Sequence, residues 1–255
     1  MSDYSGLLSN FPSNASDQYE VLVEEYAGMR MMSFDGDRLQ SAMKVSRPHE
    51  LALSYTQRIM SFLLFHPAPQ KIVMVGLGGG SLAKFIHHEL VDTSTIIVEV
   101  DPRVLAIARS HFYLPEDDER LQVVIEDGSE YIATHSGCAD ILIVDGFDCN
   151  GQVPSLCTKS FYSNCFTALK PGGILVVNLC GGGKAVDVFL KRIRAHFGDT
   201  VLTLSSDQDD NCIVFGFQDK RTFFLNGKLS DRAEALQRRY GFPFPNFIET
   251  TECMS

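Results

Sequence analysis

Short apolar runs and amphipathic segments alternate along the chain from Lys71 onward. The apolar runs have the length of buried strands, and the segments between them have the helical period of apolar positions. The predicted strands read KIVMV, TIIVEV, LQVVIE, ADILIVD and ILVVNL, the last after a predicted turn at residues 170–173, and the predicted helices read SLAKFIHHEL, PRVLAIARSHF, SEYIAT, KSFYSNCFTAL and AVDVFLKRIRAHF. Continuous apolar strands alternating with helices indicate a parallel sheet covered on both faces.

Antiparallel hairpins are predicted on both sides of this repeating unit. After its last helix, TVLTLSS and NCIVFGF flank a polar turn at residues 207–210. Before it, residues 19–33 alternate apolar and polar positions in two runs separated by Ala27-Gly28, which is a hairpin pattern. After a turn at residues 35–37, a third strand-like run passes through Leu39 and Met43.

The fold class follows from this arrangement. A helix-like segment begins at Pro48 and ends before Pro67, joining the N-terminal strands to the repeating unit. A mostly parallel sheet that ends in an antiparallel hairpin is typical of the Rossmann-like class I methyltransferase fold rather than of nicotinamide dehydrogenases. We predict an α/β protein with that fold and a small N-terminal β-rich appendage. The predicted parts are a tail, hairpin appendage and leading helix over 1–68, a Rossmann-like domain over 69–220, and a C-terminal helix and tail over 221–255.

The composition indicates the class and the cellular location of the protein. The chain has 255 residues, of which 45% are hydrophobic and 21% charged, as in ordinary globular proteins. It contains neither an apolar stretch of transmembrane length nor a secretory signal, so we predict a cytoplasmic protein with no membrane partner. Seven cysteines without a Cys-x-x-Cys pair indicate reduced core thiols and no metal site.

The net charge separates classes of partner. A formal charge of −10 argues against binding to a nucleic-acid backbone. It suits a cationic small-molecule substrate such as a polyamine. A soluble acidic enzyme of another specificity would carry the same charge equally well.

The first predicted parallel strand is followed by a glycine-rich turn, Gly76-Leu77-Gly78-Gly79-Gly80. In an open parallel sheet, ligands bind beyond the carboxyl ends of the strands, where the strand order reverses. Glycines there let the backbone approach a ligand closely and present amides at a helix N-terminus. Such a turn also occurs in many other folds, so on its own it does not define the ligand.

Acidic residues end the next three predicted strands. Glu99 follows the glycines by about 20 residues, where an acid accepts hydrogen bonds from ribose hydroxyls. Asp127-Gly128 ends the third strand and is placed to meet an adenine amino group. Asp145 ends the fourth strand, nearest the centre of the expected cleft. The four strand ends together predict an adenosine-binding site.

Other roles are predicted for some polar residues nearby. Asp101 is interpreted as the N-cap of the helix that begins at Pro102. Asp127 can equally cap the helix that starts at Ser129, so its role stays open. His87 and His88 lie on a helix away from the strand ends and are predicted to be surface residues.

The loop after Asp145 carries a more specific pattern. It reads Asp145-Gly146-Phe147-Asp148-Cys149-Asn150-Gly151, followed by Leu156-Cys157-Thr158 and Phe161-Tyr162. This resembles the spermidine synthase family, whose pattern is Asp-x-x-Asp-Pro-x-Gly-Pro-Ala, then Leu-Phe-Thr and Phe-Tyr. The segments VEVDPRVLAIA and ALKPGGILVVN are also similar to that family, and the resemblance extends over residues 20–217.

The resemblance implies an aminopropyltransferase, in which decarboxylated S-adenosylmethionine gives its aminopropyl group to an amine such as putrescine. The sulfonium is already a good leaving group, so such an enzyme mainly aligns the reactants and presents a neutral amine. The resemblance implies that Asp145 accepts the amine proton or orients the amine, and that Asp148 helps to hold it. In the N-terminal segment, Gln40 and Glu50 fit the family. The predicted donor-binding residues are Gln40, Gly76, Gly78, Gly79, Gly80, Glu99, Asp127 and Gly128.

Three features of the chain depart from the family pattern. Gly79 stands where the family has an Asp that pairs with the primary ammonium of the aminopropyl group. The family's Tyr-His pair falls at Leu53 and Ser54, and its long aromatic segment before the last hairpin is reduced to SSDQDDN. The adenosine half of the site therefore looks intact, whereas the acceptor half looks rebuilt. The family's habit of dimerisation makes a homodimer an expectation by analogy.

Three functions are consistent with these features. The leading one is aminopropyl transfer to a polyamine. In the second, S-adenosylmethionine itself donates a methyl or aminocarboxypropyl group; Gly79 supports this, because a carboxylate there would repel the carboxylate of that donor. The third is a non-catalytic module that keeps the nucleotide pocket, and the retention of Asp145 and Asp148 argues against it.

Overall fold

The N-terminal strands form a small antiparallel sheet. A computed structural model of the chain describes residues 19–35, 38–148, 151–181, 184–206, 209–220 and 229–253. The strands of this sheet, in the order β1-β2-β3, are β1 (Val21–Tyr26), β2 (Met29–Phe34) and β3 (Arg38–Lys44). The predicted hairpin is confirmed, with Ala27 and Gly28 between β1 and β2 at positive φ. Met32, Phe34 and Met43 are buried against the rest of the protein.

The helix predicted from Pro48 begins later, so that prediction is wrong for the residues before Ser54. The segment first makes consecutive turns, in which the Arg47 amide donates to the Lys44 carbonyl oxygen at 3.0 Å and the Glu50 amide to that of Arg47 at 3.1 Å. The helix α1 (Ser54–Ile59) follows and continues into a 3₁₀ turn, Met60–Leu64.

The remaining strands build the central sheet, which has eight strands among the described residues. These are β4 (Lys71–Val75), β5 (Ser94–Glu99), β6 (Leu121–Ile125), β7 (Ala139–Val144), β10 (Leu169–Cys180), β11 (Val201–Leu204), β12 (Asn211–Phe217) and β13 (Thr251–Cys253). Their spatial order is β13-β11-β12-β10-β7-β4-β5-β6. From β10 to β6 all neighbours are parallel, whereas β12 is antiparallel to β10 and β11, and β13 to β11. The predicted α/β fold, parallel sheet with a terminal antiparallel hairpin, is confirmed.

Helices cover both faces of this sheet. They are α2 (Ser81–Glu89), α3 (Pro102–Phe112), α4 (Gly128–Thr134), α5 (Lys159–Ala168) and α6 (Lys184–Phe197), followed by α7 (Leu229–Tyr240) and α8 (Phe244–Glu249). Along β4, Ile72 and Met74 enter one apolar cluster and Val73 and Val75 enter the other. This two-sided burial explains why the strands read as continuous apolar runs. Within the part of the chain described, none of the helices has the length and apolarity needed to cross a membrane.

Two predicted features of the chain's second half are corrected. Residues 170–173 are not a separate turn, because they lie within β10, where pairing with β7 shifts register between Leu169 and Ile174. Toward the C-terminus the sequence predicted one helix and a tail, whereas the structure has α7, α8 and the strand β13 at the sheet edge. The predicted turns at residues 36–37 and 207–208 and the tail before Tyr19 lie outside the described residues.

Candidate active site

A cleft of about 1290 Å³ lies at the carboxyl ends of the parallel strands. Strand order reverses at β4, which has β5 on one side and β7 on the other, so this is the place where an open sheet binds its ligand. The small N-terminal sheet contributes to the lining through Gln40, Ser41 and Phe34. The predicted site residues that line the cleft are Gln40, Gly76, Gly78, Glu99, Asp127, Gly128 and Asp145.

The glycine-rich turn enters the cleft at Gly76. Its φ is +97°, and a Cβ on it would lie 2.3 Å from the carbonyl oxygen of Asp145. Its amide donates to the Val98 carbonyl oxygen at 2.9 Å. Only glycine therefore fits between the ends of β5 and β7, which brings the backbone of the turn to the floor of the cleft.

Gly79 and Gly80 serve packing in the same turn and are not among the residues that line the cleft. A Cβ at Gly79 would lie 2.6 Å from the Ser41 Oγ and 2.8 Å from the Phe112 Cδ1. A Cβ at Gly80, the residue before α2, would lie 2.8 Å from the Leu114 Cδ1. Their predicted part in donor binding stays a prediction.

Glu99 is buried at the end of β5 and held by two backbone amides. Its Oε2 accepts from the Leu77 amide at 3.0 Å and its Oε1 from the Asp101 amide at 2.9 Å. Burial raises the pKa of Glu99 to about 7, and these amides oppose the rise. The Val100 amide also acts on this carboxylate, which has about four lone-pair sites in all, so the Glu99 oxygens can still accept from a ligand hydroxyl.

Asp101 is the N-cap of α3, as predicted. Its Oδ1 accepts from the Arg103 amide at 2.8 Å, and its Oδ2 accepts from the Tyr19 hydroxyl at 2.7 Å. Burial raises the pKa of Asp101, but the hydrogen bonds from Arg103 and Tyr19 outweigh it and hold the pKa below its usual value. Asp101 thereby ties the N-terminal segment to the cleft wall.

Asp127 is the N-cap of α4 through one oxygen. Its Oδ1 accepts from the amides of Ser129 and Glu130 at 2.7 Å and 3.2 Å. Among the described residues its Oδ2 has no hydrogen-bond partner, so one oxygen remains for a ligand at the cleft. Gly128 is required by packing, because a Cβ there would lie 2.3 Å from the Val75 Cγ1. The capping role is thus observed, and the adenine contact stays a prediction.

Asp145 directly follows β7 and lines the cleft. Its Oδ1 accepts from the Asn178 Nδ2 at 2.8 Å. Burial raises the pKa of Asp145 to about 6, and the Asn178 hydrogen bond opposes this. Asp148 ends the two-residue strand β8 (Phe147–Asp148), which pairs with β9 (Gly151–Gln152). The side chain of Asp148 lies outside the described part of the chain.

The N-terminal family positions are placed as follows. Glu50 does not line the cleft but pairs with Lys44 at 3.1 Å and Arg47 at 2.9 Å. Leu53 precedes α1, and the Ser54 Oγ donates to Asp209 Oδ2 at 2.6 Å. The predicted surface histidines, His87 and His88, also lie outside the lining and pair with Asp118 at 2.8 Å and Glu89 at 3.0 Å.

Tyr55 and Asn178 line the cleft and were not predicted. Burial raises the pKa of Tyr55 well above its usual value, and the charges of Asp145 and Asp209 raise it further. A signal for Tyr55 was its position two residues after Leu53, where the family has its tyrosine, so an offset of two residues in the match brings a tyrosine into that position. Asn178 was signalled by its polarity within the apolar run ILVVNL.

The cysteines divide between core and cleft. Cys157 and Cys165 are buried and burial raises the pKa of both thiols, in agreement with the predicted core role. Cys180 instead lies at the end of β10 and lines the cleft. In the ranges that the structure describes, no group of three or more His, Cys, Asp or Glu side chains could hold a metal ion.

The lining of the cleft is strongly acidic. Among the described residues it includes no Lys, Arg or His side chain, and its carboxylates are Glu99, Asp101, Glu126, Asp127, Asp145 and Asp210. Such a lining creates a negative potential that a narrow, low-dielectric cleft strengthens. The site therefore favours cationic ligands.

The strand order, the glycine turn and the acidic cleft at the switch point define a Rossmann-like transferase with a methyltransferase-type fold. Residues 52–179 match the family model of the spermine/spermidine synthase domain. The chain is 34% identical over 229 residues to the polyamine aminopropyltransferase of Chromobacterium violaceum and 37% identical over 230 residues to that of Neisseria meningitidis serogroup A, in each case covering 90% of this chain and 88% of the relative. The chain belongs to the spermine/spermidine synthase family.

Solved structures agree with the fold. A probable spermidine synthase from Corynebacterium glutamicum superposes with a TM-score of 0.72 at 19% identity, over 87% of this chain and 84% of that one. Human methyltransferase-like protein 13, in complex with SAH, gives 0.66 at 25% identity, over 74% of this chain and 93% of that one. A spermidine synthase in complex with the transition-state analogue AdoDATO gives 0.63 at 22% identity, over 90% and 87% of the two chains.

Proposed function

We propose that this protein transfers the aminopropyl group of decarboxylated S-adenosylmethionine to a polyamine such as putrescine. The observation that carries the proposal is the cleft lining, which has carboxylates and no basic side chain among the described residues. Both substrates of this reaction are cations. Family membership and the aminopropyltransferase names of the relatives support the same reaction.

The donor is proposed to lie across the ends of β4, β5 and β6. Glu99 accepts hydrogen bonds from the ribose hydroxyls through the lone pairs that Leu77 and Asp101 leave unused. Asp127 accepts from the adenine amino group through Oδ2, while Oδ1 keeps capping α4. Gly76 and Gly78 let the donor approach the backbone of the turn, and Gln40 closes this side of the site from the N-terminal sheet.

The decarboxylated donor fits this lining better than S-adenosylmethionine does. The carboxylate of S-adenosylmethionine would enter a cleft without a basic side chain among the described lining residues. Like charges a few ångströms apart repel at the intermediate dielectric of a partly buried site. The decarboxylated form carries only the sulfonium and the ammonium, and both charges are attracted.

Asp145 is proposed as the proton acceptor. The acceptor nitrogen attacks the CH₂ group bonded to the sulfonium, the new C–N bond forms as the C–S bond breaks, and the sulfur leaves as the neutral thioether methylthioadenosine. The proton lost by the nitrogen passes to Asp145. Because burial raises the pKa of Asp145 to about 6, this group is mostly ionised at neutral pH and still basic enough to take the proton. Asp148, at the end of the short strand β8, is proposed to hold the amine.

A second function is favoured by Gly79. Lacking the family's carboxylate at this place, the chain could accept the carboxylated donor for methyl or aminocarboxypropyl transfer. The deciding experiment incubates the protein with putrescine and either donor and identifies the products by mass spectrometry. We expect methylthioadenosine and an aminopropylated amine from the decarboxylated donor only. If product forms with S-adenosylmethionine and not with the decarboxylated donor, the protein has the second function. If neither donor gives a product but either one raises Tm, the protein is a non-catalytic binding module.

A homodimer, through the family analogy, and a cytoplasmic location, from the cysteine usage of the sequence, belong to the same proposal. Sedimentation equilibrium of the purified chain tests the first. A monomer at micromolar concentration that turns over at full rate would remove the dimer from the proposal.

A further inference from the structure

A chain of polar contacts leads from Asp145 to a buried ion pair. Asn178 donates from Nδ2 to Asp145 Oδ1 at 2.8 Å, and its own Oδ1 accepts from the Asn211 Nδ2 at 2.9 Å. The Asn211 amide donates to Asp209 Oδ1 at 3.1 Å. Asp209 in turn pairs with Arg58 Nη2, so that the acid at the end of β7 connects to α1 through β10 and the turn before β12.

The direction of each amide in this chain is determined. An Asn side chain has a donating and an accepting end, and either could face a neighbour. Asn178 has to offer its NH₂ group to the carboxylate of Asp145, which only accepts when ionised. Its oxygen is then available to the NH₂ group of Asn211 and is held there. Without Asn211, the Asn178 amide would be held only by its hydrogen bond to Asp145, and its oxygen would lose the partner that fixes the other end.

The far end of the chain is a rigid anchor. The Arg58 side chain is only 4% exposed, and besides Asp209 its Nη2 lies 3.4 Å from the carbonyl oxygen of Asn211. The second oxygen of Asp209 accepts from the Ser54 Oγ at 2.6 Å. The Gly181 amide also donates to the Asp210 carbonyl oxygen at 3.1 Å. The turn at residues 209–211 is therefore fixed to α1 and to the end of β10.

We propose that Arg58, Asp209 and Asn211 are positioning residues, which hold the Asp145 carboxylate through Asn178 in the orientation needed to take the acceptor's proton. This rests on the proposed function, since it concerns the same acid. The ion pair itself does not touch the reacting atoms. It neutralises Asp209 and fixes Asn211, and the fixed amides hold Asp145 Oδ1, leaving Oδ2 to face the acceptor.

The charge state of the site supports this role. The Asn178 hydrogen bond lowers the pKa of Asp145 against the rise caused by burial. An Asn178 held at one end only would keep this hydrogen bond less firmly and so lower the pKa of Asp145 less. Tyr55 on α1, Cys180 on β10 and Asp210 in the turn before β12 are titratable groups close to this network, and the variants proposed below leave them unchanged.

The first test is Asn211→Ala, which removes one donor and keeps the backbone. We expect kcat to fall by about 10- to 100-fold, with the dissociation constant of methylthioadenosine unchanged. We also expect the acidic limb of the pH profile of kcat to move to higher pH. The titration of Asp145, followed in the absence of substrates by carboxyl ¹³C NMR and assigned with Asp145→Asn, should move in the same direction.

The control is Thr200→Val. The Thr200 hydroxyl lies 2.6 Å and 2.8 Å from the carbonyl oxygens of Phe197 and Phe217, so the change destabilises the same hairpin without touching the chain to Asp145. We expect it to lower Tm and to leave both the pH profile and the NMR titration of Asp145 as in the wild type. An equal displacement of the titration in Thr200→Val would make the effect of Asn211→Ala a general loosening and overturn the proposal.

The ion pair is tested by Asp209→Ala and by the double variant Arg58→Met/Asp209→Ala. Removing Asp209 alone strands a buried charge and can unfold the protein, whereas the double variant removes both charges. We expect the double variant to be folded and still to show the low kcat and the displaced Asp145 titration. Recovery of both to wild-type values would overturn the proposal. Since the NMR titration needs no turnover, it tests positioning even if the wild type proves to have another activity.

Discussion

The carbonyl oxygen of Asp145 lies so close to Gly76 that a Cβ atom on Gly76 would be only 2.3 Å from it. The end of β7 and the glycine turn after β4 are therefore in direct contact, and the Asp145 amide donates to the Val75 carbonyl oxygen at 2.9 Å. This contact brings the proposed proton acceptor next to the backbone that holds the donor.

Gly76→Ala should be strongly destabilising. The positive φ alone costs about 1–2 kcal/mol for a residue with a Cβ, and forcing backbone atoms apart adds about 1–3 kcal/mol. The matched control is Gly181→Ala, at a similar φ of +106° but with no atom of the described residues within 4 Å of its Cβ position. Urea denaturation should give a clearly larger loss of unfolding free energy for Gly76→Ala. Equal losses would mean that the close approach to Asp145 relaxes freely.

Asp145→Asn should lower turnover by at least about 100-fold, since it keeps the shape of the side chain but removes the proton acceptor. The affinity for methylthioadenosine should change little, because ribose and adenine contacts are proposed at Glu99 and Asp127. Steady-state kinetics and calorimetry measure the two quantities. In the wild type, kcat should rise with pH through about 6, where the Asp145 carboxyl ionises. Retained turnover in Asp145→Asn would transfer the proton-accepting role to another group, with Asp148 first in line.

Asp127→Asn separates capping from ligand binding. Asn is as good an N-cap as Asp, so α4 and the unfolding free energy should be nearly unchanged. Its NH₂ group, however, would face the adenine amino group with a donor in place of an acceptor. We expect the affinity for methylthioadenosine to fall by about 10- to 100-fold, from a loss of about 1–3 kcal/mol. Unaltered affinity in calorimetry would show that Asp127 only caps the helix.

Glu99 should make the unliganded protein less stable as pH rises. Its folded-state pKa is raised to about 7 from an ordinary value of 4.5, so the folded state binds the proton more tightly than the unfolded state does. The corresponding stability is complete below the unfolded value and is lost as pH rises toward 7. At 1.36 kcal/mol per pH unit, the loss amounts to about 3 kcal/mol.

The Glu99 effect is measured by urea denaturation at several pH values from 4.5 to 8. In Glu99→Gln the part of this decline above about pH 6 should largely disappear, whereas the part below about 6, to which the raised pKa of Asp145 also contributes, should remain. Glu126→Gln changes another carboxylate of the cleft lining and should keep the wild-type decline. A wild type whose stability is flat over this range would contradict the expected buried acid.

Gly79→Asp would restore the carboxylate that the family has at this position. A side chain there would meet Ser41 and Phe112, so Gly79→Asp alone should be destabilised. Combining it with Ser41→Gly removes the nearer obstacle, and Ser41→Gly alone is the control. We expect the double variant to bind S-adenosylmethionine more weakly and the decarboxylated donor equally or more tightly. A wild type that already rejects S-adenosylmethionine by about 100-fold, or about 2.7 kcal/mol, would show that Gly79 is irrelevant to donor choice.

The sheet could be predicted from local patterns, whereas the contacts of its active end could not. Val73 and Val75 alternate with Ile72 and Met74 between two apolar layers, and this two-sided burial is visible in the run KIVMV itself. The pair Asn178–Asp145 depends instead on register. Val177 pairs with Val144 across β10 and β7. The next residue of each segment, Asn178 and Asp145, therefore lies beside the other. Nothing within either segment encodes that alignment.

Tyr55 was missed for a related reason. The family's Tyr-His pair was matched to Leu53 and Ser54 without a gap, which left Tyr55 two residues beyond the tyrosine position. The strand β13 was missed because three residues carry too little periodicity to be distinguished from a tail.

The acidic lining treats the two products of the proposed reaction unequally. Methylthioadenosine leaves without charge, so once the bond to sulfur has broken it is held by its proposed hydrogen bonds alone and no longer by attraction between charges. The lengthened polyamine carries one amine more than the acceptor did, and the potential that attracted the acceptor holds this product more strongly. Departure of the polyamine is therefore the step that the cleft opposes, and added salt, which screens that attraction, eases it.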